Sequence, residues 1–214
     1  MSTNVNRFVF NSFGVNTYVL TDNTGKCLIV DPACQSKQEE NELAMFVTGN
    51  NLQPLGMVNT HFHIDHIVGN TFVCNTFNLR PQCHKSSKMF WETAVEFGSV
   101  FGIKVENLIV PSDFIEDGDT ITFGNSAVQV LYTPGHADGS VCFVNHAERY
   151  VIAGDVLFRD SIGRTDLPTG NFDRLYESIT TKLFTLPDDY IVYPGHGPET
   201  TIGYEKLNNP FLGG

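Results

Sequence analysis

The chain has 214 residues, 41% hydrophobic and 17% charged, enough to bury a sizeable core and short enough to be expected as one domain spanning 1–214. Its formal net charge of -11 and pI near 4.9 weigh against nucleic-acid and anionic-membrane partners, because a phosphate-tracking surface is usually basic. The opening MSTNVNRFVFNSFG lacks a basic stretch followed by an apolar one, and no apolar run approaches bilayer-spanning length, so a soluble, cytoplasmic protein is expected.

In chain order, RFVFN, TYVLTD and CLIVDP are short segments rich in β-branched, aromatic and aliphatic residues, which predicts an antiparallel meander. Residues 35–47 space Leu43, Phe46 and Val47 among charged residues, as an amphipathic helix does. LGMVNT returns to strand. Residues 67–77 (IVGNTFVCNTF) and 86–97 (SSKMFWETAVEF) are expected as helices, the second capped by Ser86. Strands follow in DTITFG, AVQVLYT, SVCFVN and RYVIAGD, then a helix over 172–186, a strand in DYIVYPG and a short helix over 203–208. This order lacks strict βαβ alternation, and two sheets, each covered on its outer face by helices, would account for it.

Cys27, Cys34, Cys74, Cys83 and Cys142 are odd in number and contain no CxxC pair. They are expected to be buried and reduced, neither a disulfide framework nor a structural zinc site.

The chemistry concentrates in NTHFHIDHIVGN. If THFH leaves a strand end in extended form, His61 and His63 point to one side, since extended side chains alternate with period two. Asp65 and His66 then fall where the chain turns into the next helix, so one stretch could serve two metal ions. Three further candidates each follow a strand and sit beside glycine: His136 in YTPGHADGS, Asp155 in VIAGDVLF and His196 in IVYPGHGPE. Five imidazoles and two carboxylates suit zinc or a similar borderline metal better than calcium or magnesium. His84 and His146 lie outside these motifs and are expected as ordinary packed or surface histidines.

HxHxDH, here HFHIDH, followed by TPGH, GD and GHG in order, resembles the metallo-β-lactamase superfamily over nearly the whole chain. The resemblance implies an α+β, four-layer αββα sandwich of two mixed sheets flanked by helices. It also implies two divalent metal ions, zinc first with iron or manganese as substitutes. His61, His63 and His136 would hold one ion, Asp65, His66 and His196 the other, and Asp155 would bridge them. Asp155 stands where some lactamases carry cysteine, and His63 where flavo-diiron proteins carry glutamate.

LFRDSIGRTDLPTGN and LPDDYIVYPGHGPETTIGYEKLNNPF further resemble short type II glyoxalases, the hydroxyacylglutathione hydrolases without the long helical C-terminal extension. That resemblance implies hydrolysis of a small-molecule thioester, with a water shared by the two ions as the nucleophile. Asp65 and Asp155 would be its catalytic carboxylates. Arg164 in IGRTD would meet the thiol portion of the substrate, or else pair structurally with Asp166 or Asp160. Three alternatives are a one-iron persulfide dioxygenase, resembling the chain through GRTD and LYESI-like segments, a lactonase or other metallo-hydrolase, and, last, a non-catalytic metal-binding module. The sequence leaves the oligomeric state open.

Overall fold

The computed structural model describes residues 3–103, 105 and 107–213. β1 (Asn4–Phe10), β2 (Val15–Thr21) and β3 (Lys26–Val30) form the expected meander, antiparallel throughout. α1 (Lys37–Gly49) follows, with Ser36 and Glu39 closing a reciprocal capping box at its start. β4 (Gln53–Val58) runs parallel to β3 and leads into α2 (Ile64–Ile67) and α3 (Asn70–Phe77). The helix expected over 67–77 thus starts three residues earlier and breaks at Gly69. That residue donates to Pro32 O at 3.0 Å, and a Cβ on it would meet Pro32 O and Cys34 Sγ at 2.7 Å.

β5 (Pro81–His84) and β6 (Asp113–Ile115), too short and too polar to signal themselves, extend the first sheet in parallel. Between them lie α4 (Lys88–Glu92) and α5 (Ala94–Val100), so the single helix expected over 86–97 is interrupted at Thr93. Ser86 is not its cap. A 3-10 turn at Lys85–Ser87 precedes α4, and the His84 ring accepts from the Ser86 N–H instead.

The second half builds β7 (Thr120–Phe123), β8 (Ser126–Tyr132), β9 (Val141–Asn145) and β10 (Tyr150–Gly154), followed by a small hairpin, β11 (Leu157–Phe158) and β12 (Ser161–Ile162). α6 (Phe172–Thr181) ends before the expected 186 and passes into a 3-10 turn at Leu183–Thr185. β13 (Ile191–Pro194), β14 (Thr200–Thr201) and α7 (Ile202–Asn208) complete the order.

Two six-stranded sheets result, β1-β2-β3-β4-β5-β6 and β14-β13-β10-β9-β8-β7. Both are mixed, the second being parallel at β10–β13 and antiparallel elsewhere. Period-two alternation explains how strands buried along their whole length serve two cores. In β3, Leu28 and Val30 face the space between the sheets, while Cys27 and Ile29 face α1 and α3. In β9 and β10, Val141, Phe143, Tyr150 and Ile152 face the first sheet. Cys142, Val144, Val151 and Ala153 face Leu175 and Ile179 of α6 and Ile202 of α7. The layers therefore read α, β, β, α. The five cysteines are all buried and free, with burial pushing the Cys27, Cys34, Cys83 and Cys142 thiols up to about 12. Among the described residues no helix is long and apolar enough to cross a membrane.

Candidate metal centre

Seven side chains expected from the sequence meet at the C-terminal ends of β4, β8, β10 and β13. His61 and His63 leave β4 in extended form, with His63 at φ -64° and ψ 147° as it enters α2, so both rings reach the same point. Asp65 and His66 sit on the first turn of α2. His136 comes from the β8–β9 loop, Asp155 from the end of β10 and His196 from the end of β13. The first sheet supplies four of the groups and the second supplies three.

Two triads form. His61 Nε2 lies 3.1 Å from His63 Nδ1, which lies 2.9 Å from His136 Nε2. His66 Nε2 is 3.3 Å from His196 Nε2, and Asp65 Oδ2 is 3.8 Å and 3.5 Å from those two nitrogens. Asp155 stands between the triads, Oδ1 3.4 Å from His66 Nε2 and Oδ2 3.6 Å from His136 Nε2. Each triad has one ligand-type atom per residue within 4.8 Å of the others.

The surrounding hydrogen bonds fix the tautomers. His136 Nδ1 donates to Arg164 O at 2.8 Å and His196 Nδ1 to Phe13 O at 3.0 Å. A carbonyl only accepts, so Nδ1 carries a proton in each, and Nε2 is the atom turned inward as the one free to ligate once it is unprotonated. His66 Nδ1 donates to Asp31 Oδ2 at 3.0 Å. Thr60 Oγ1 donates to the same oxygen at 2.5 Å and faces His61 Nδ1 at 3.2 Å, from which it accepts. Asp31 Oδ1 takes the Thr60 N–H at 2.7 Å. Asp31 is near enough to His61 and His66 to form a third ligand-like group, but its oxygens are committed to these donors and orient the rings.

This arrangement fits a pair of small cations. Two ligands on a tetrahedral ion with bonds of about 2.0–2.1 Å stand about 3.3 Å apart, close to the nitrogen spacings of both triads. Asp155 Oδ1 and His63 Nε2 are buried without a hydrogen-bond partner, and the first of these is a carboxylate oxygen facing the second triad. Electrostatics point the same way. Burial opposes a charge on His66, but Asp155 and then Asp65 outweigh it and hold the ring well above its ordinary pKa. Burial likewise opposes the charge on His196, and Asp65 and Asp155 raise it. His61 is pushed well down by burial and by its His66 neighbour, and His63, by burial and His136, to about 3. Burial favours a neutral Asp155, yet His66 holds its carboxyl well below the usual range.

Close packing makes two glycines necessary. A Cβ at Gly195 would fall 2.1 Å from Asp155 Oδ1 and 2.9 Å from the His66 ring. Gly154 takes φ +50°, and its Cβ would meet Thr60 Oγ1 at 2.5 Å.

Arg164 lines the cavity above the cluster, with its guanidinium gripping Asp166 at 2.7 and 2.8 Å and its carbonyl holding His136. His84 and His146 lie apart, one stacked on Tyr132 with ring centroids 4.1 Å apart, the other between Tyr190 and Gln129. Sequence reasoning missed Asp31, Thr60 and Asn11. A carboxylate closing the apolar run CLIVD was a usable signal for Asp31. Nothing marked Asn11, whose side chain donates to Asp65 O at 2.9 Å.

Known proteins share this arrangement of chain. Hydroxyacylglutathione hydrolase GloC of Haemophilus influenzae is 33% identical, with 94% of each chain covered. The crystal structure of BLEG-1 B3 metallo-beta-lactamase superposes with a TM-score of 0.90 at 33% identity, covering 99% of this chain and all of that one. TTHA1623 in a di-iron-bound form gives 0.86 at 32% identity, covering 97% and 100%. With the sequence profile of that superfamily matching residues 11–196, the chain belongs to the metallo-beta-lactamase superfamily.

Proposed function

We propose that the protein is a dinuclear metal-dependent hydrolase of small-thiol thioesters, similar to hydroxyacylglutathione hydrolases. The observation that carries this reading is the pair of triads sharing Asp155, whose second member (Asp65, His66, His196) a one-iron oxygenase would not need. His61, His63 and His136 would hold one ion, Asp65, His66 and His196 the other, with Asp155 between them. Zinc suits the mixed nitrogen and oxygen donors; iron and manganese are the substitutes, and TTHA1623 was crystallised with two irons.

A bound pair of divalent ions supplies Lewis acidity and brings the pKa of a bound water toward neutrality. The chain's own groups do the rest. Asp65, partly exposed at the cavity floor, offers an acceptor that would orient the attacking water. Asp31 and Thr60 keep the protons of His66 and His61 on the far nitrogens. The surrounding phenylalanines limit solvent at the reacting carbonyl. Arg164 would meet the charged end of the thiol carrier through the outer edge of its guanidinium. We read residues 1–214 as one catalytic unit acting in the cytoplasm on a small molecule, with no nucleic-acid or membrane partner. The acidic composition and the five free thiols support that reading.

The likeness to a B3 lactamase favours a second reading, β-lactam hydrolysis by the same residues. The experiment is metal analysis of protein purified without added metal, then anaerobic thiol release from S-lactoylglutathione and other acyl thioesters beside turnover of a chromogenic β-lactam and oxygen uptake with glutathione persulfide. Two ions per chain with thiol release is expected. One iron with oxygen uptake and no thiol release would sink the proposal.

A further inference from the structure

The cavity above the candidate metal centre has a volume of about 510 Å³ and an unusual wall. Phe90 of α4 stands edge-on to the His63 ring with centroids 5.0 Å apart, and Phe158 of the β11–β12 hairpin lies 6.3 Å from His196. Phe97 of α5 continues the wall. Phe13, from the β1–β2 turn, and Phe101, at the end of α5, meet edge to face at 6.2 Å while each remains about 40% exposed. Both line the cavity, so they narrow its mouth. Outside the seven clustered residues, the polar side chains lining it among the described residues are Arg159 and Arg164; none of its described lining residues is a serine, threonine, asparagine, glutamine or tyrosine.

A lactoyl group carries a hydroxyl beside its carbonyl. Seated against Phe90 and Phe158, that hydroxyl would leave water without a neutral side-chain partner, and burying an unpaired hydroxyl is costly. An apolar acyl group has no such penalty and gains from contact with the rings. We propose that the preferred substrate carries an apolar acyl group reaching the size of a phenylacetyl or hexanoyl chain, held among Phe90, Phe97 and Phe101, and that small hydroxyacyl groups are poor substrates. This rests on the thioester reading and narrows its acyl half. The two arginines, on the side of the cavity formed by the hairpin and the loop after it, leave the thiol carrier free to be an anion.

The test holds the thiol constant. S-lactoyl, S-acetyl, S-butyryl, S-hexanoyl and S-phenylacetyl glutathione are compared with the metal-loaded protein. kcat/KM should rise about fourfold per buried methylene, the ratio set by ~0.8 kcal/mol per methylene. The phenylacetyl ester should exceed the lactoyl ester at least tenfold. A flat series, or preference for lactoyl, overturns the proposal.

A second readout needs neither metal nor turnover: binding of neutral phenylacetamide against lactamide, followed by saturation-transfer NMR and by the fluorescence of Trp91, which packs on Phe62 at 5.6 Å. Phenylacetamide should bind at least tenfold tighter, and Phe97→Ser and Phe101→Ser should each shrink that ratio. Equal binding overturns the proposal whatever the hydrolysis shows. If no thioester releases thiol while phenylacetamide still binds selectively, the thioester reading falls and the apolar specificity of the cavity stands.

Discussion

Asp31→Asn isolates the orienting role of a residue that touches neither cavity nor substrate. Asp31 is 1% exposed, and its carboxylate accepts from Thr60 N, Thr60 Oγ1 and His66 Nδ1 at 2.7, 2.5 and 3.0 Å. With the amide oxygen kept on the Thr60 N–H, the new NH2 faces His66 Nδ1. A neutral His66 must then accept there, and its proton moves to Nε2, the atom 3.3 Å from His196 Nε2 that would otherwise ligate. Loss of a partner that orients a ligating histidine costs about 10–100-fold in metal affinity, or ~1.4–2.7 kcal/mol. The cost should fall on the Asp65, His66, His196 site and largely spare the His61, His63, His136 site, where the Thr60 hydroxyl can still accept from His61. Competition against a chelator of known affinity, fitted to two classes of site, measures both constants. Two sites weakened alike, or a variant that binds both ions as tightly as the parent, would refute the tautomer argument.

Gly195→Ala drives a methyl into Asp155 Oδ1, so this variant should fold yet bind fewer than two ions and lose at least tenfold in kcat; full metal content with unchanged kcat would count against a fixed Asp155. Lowering pH should release metal in two steps. His66 and His196 hold protons more tightly than ordinary imidazoles and His61 and His63 less tightly, so at comparable metal affinities protons displace the ion at the Asp65 triad first, as cobalt absorbance can follow. Arg164→Ala should raise KM a few-fold without lowering kcat or metal content, since the carbonyl holding His136 is retained; a collapse of kcat at full metal content would assign Arg164 to the chemistry. Asp22 is held below its ordinary 3.8 against the opposing effect of burial, chiefly by the Asn125 N–H and by Thr24. A depressed carboxyl stabilises above that pH and loses its effect as pH falls through the folded value. Asp22→Asn should therefore cost about 1–3 kcal/mol at pH 7 and progressively less below pH 3.8 in urea melts.

What the sequence disclosed depended on how local the cause was. The meander over β1–β3 and the strands β7–β10 were legible because each covers most of a hydrophobic run with a turn at its end. β5 and β6 were not, because PQCH and DFI become strands only by pairing with a sheet already present. The break at Gly69 was hidden for the same reason: it comes from Pro32 and Cys34, over thirty residues away. At the centre, the histidine and aspartate spacing was readable, since ligand residues sit in compact motifs with glycines beside them. Asp31 and Asn11 act by hydrogen bonds to atoms 35 and 54 residues distant, and spacing says nothing about such partners. The phenylalanine wall draws on four segments, the β1–β2 turn, α4, α5 and the β11–β12 hairpin, each of which alone reads as ordinary core.

Charge ties these parts together. Asp31, Asp65 and Asp155 place three carboxylates around five imidazoles in a chain of net charge -11, and burial opposes the ionisation of Asp65 and Asp155. Such a cluster is stable only if positive charge enters it. In the protein alone that charge is protonic: Asp155 and Asp65 raise His66 and His196, while burial and neighbouring imidazoles hold His61 and His63 down. Divalent cations would replace those protons and overcompensate: four positive charges against the two carboxylates of Asp65 and Asp155. The floor of the cavity would then be cationic although the surface is acidic. That polarity suits a carbonyl oxygen that gains negative charge during attack and a thiolate that leaves, and the phenylalanines on either side keep the field unscreened by water.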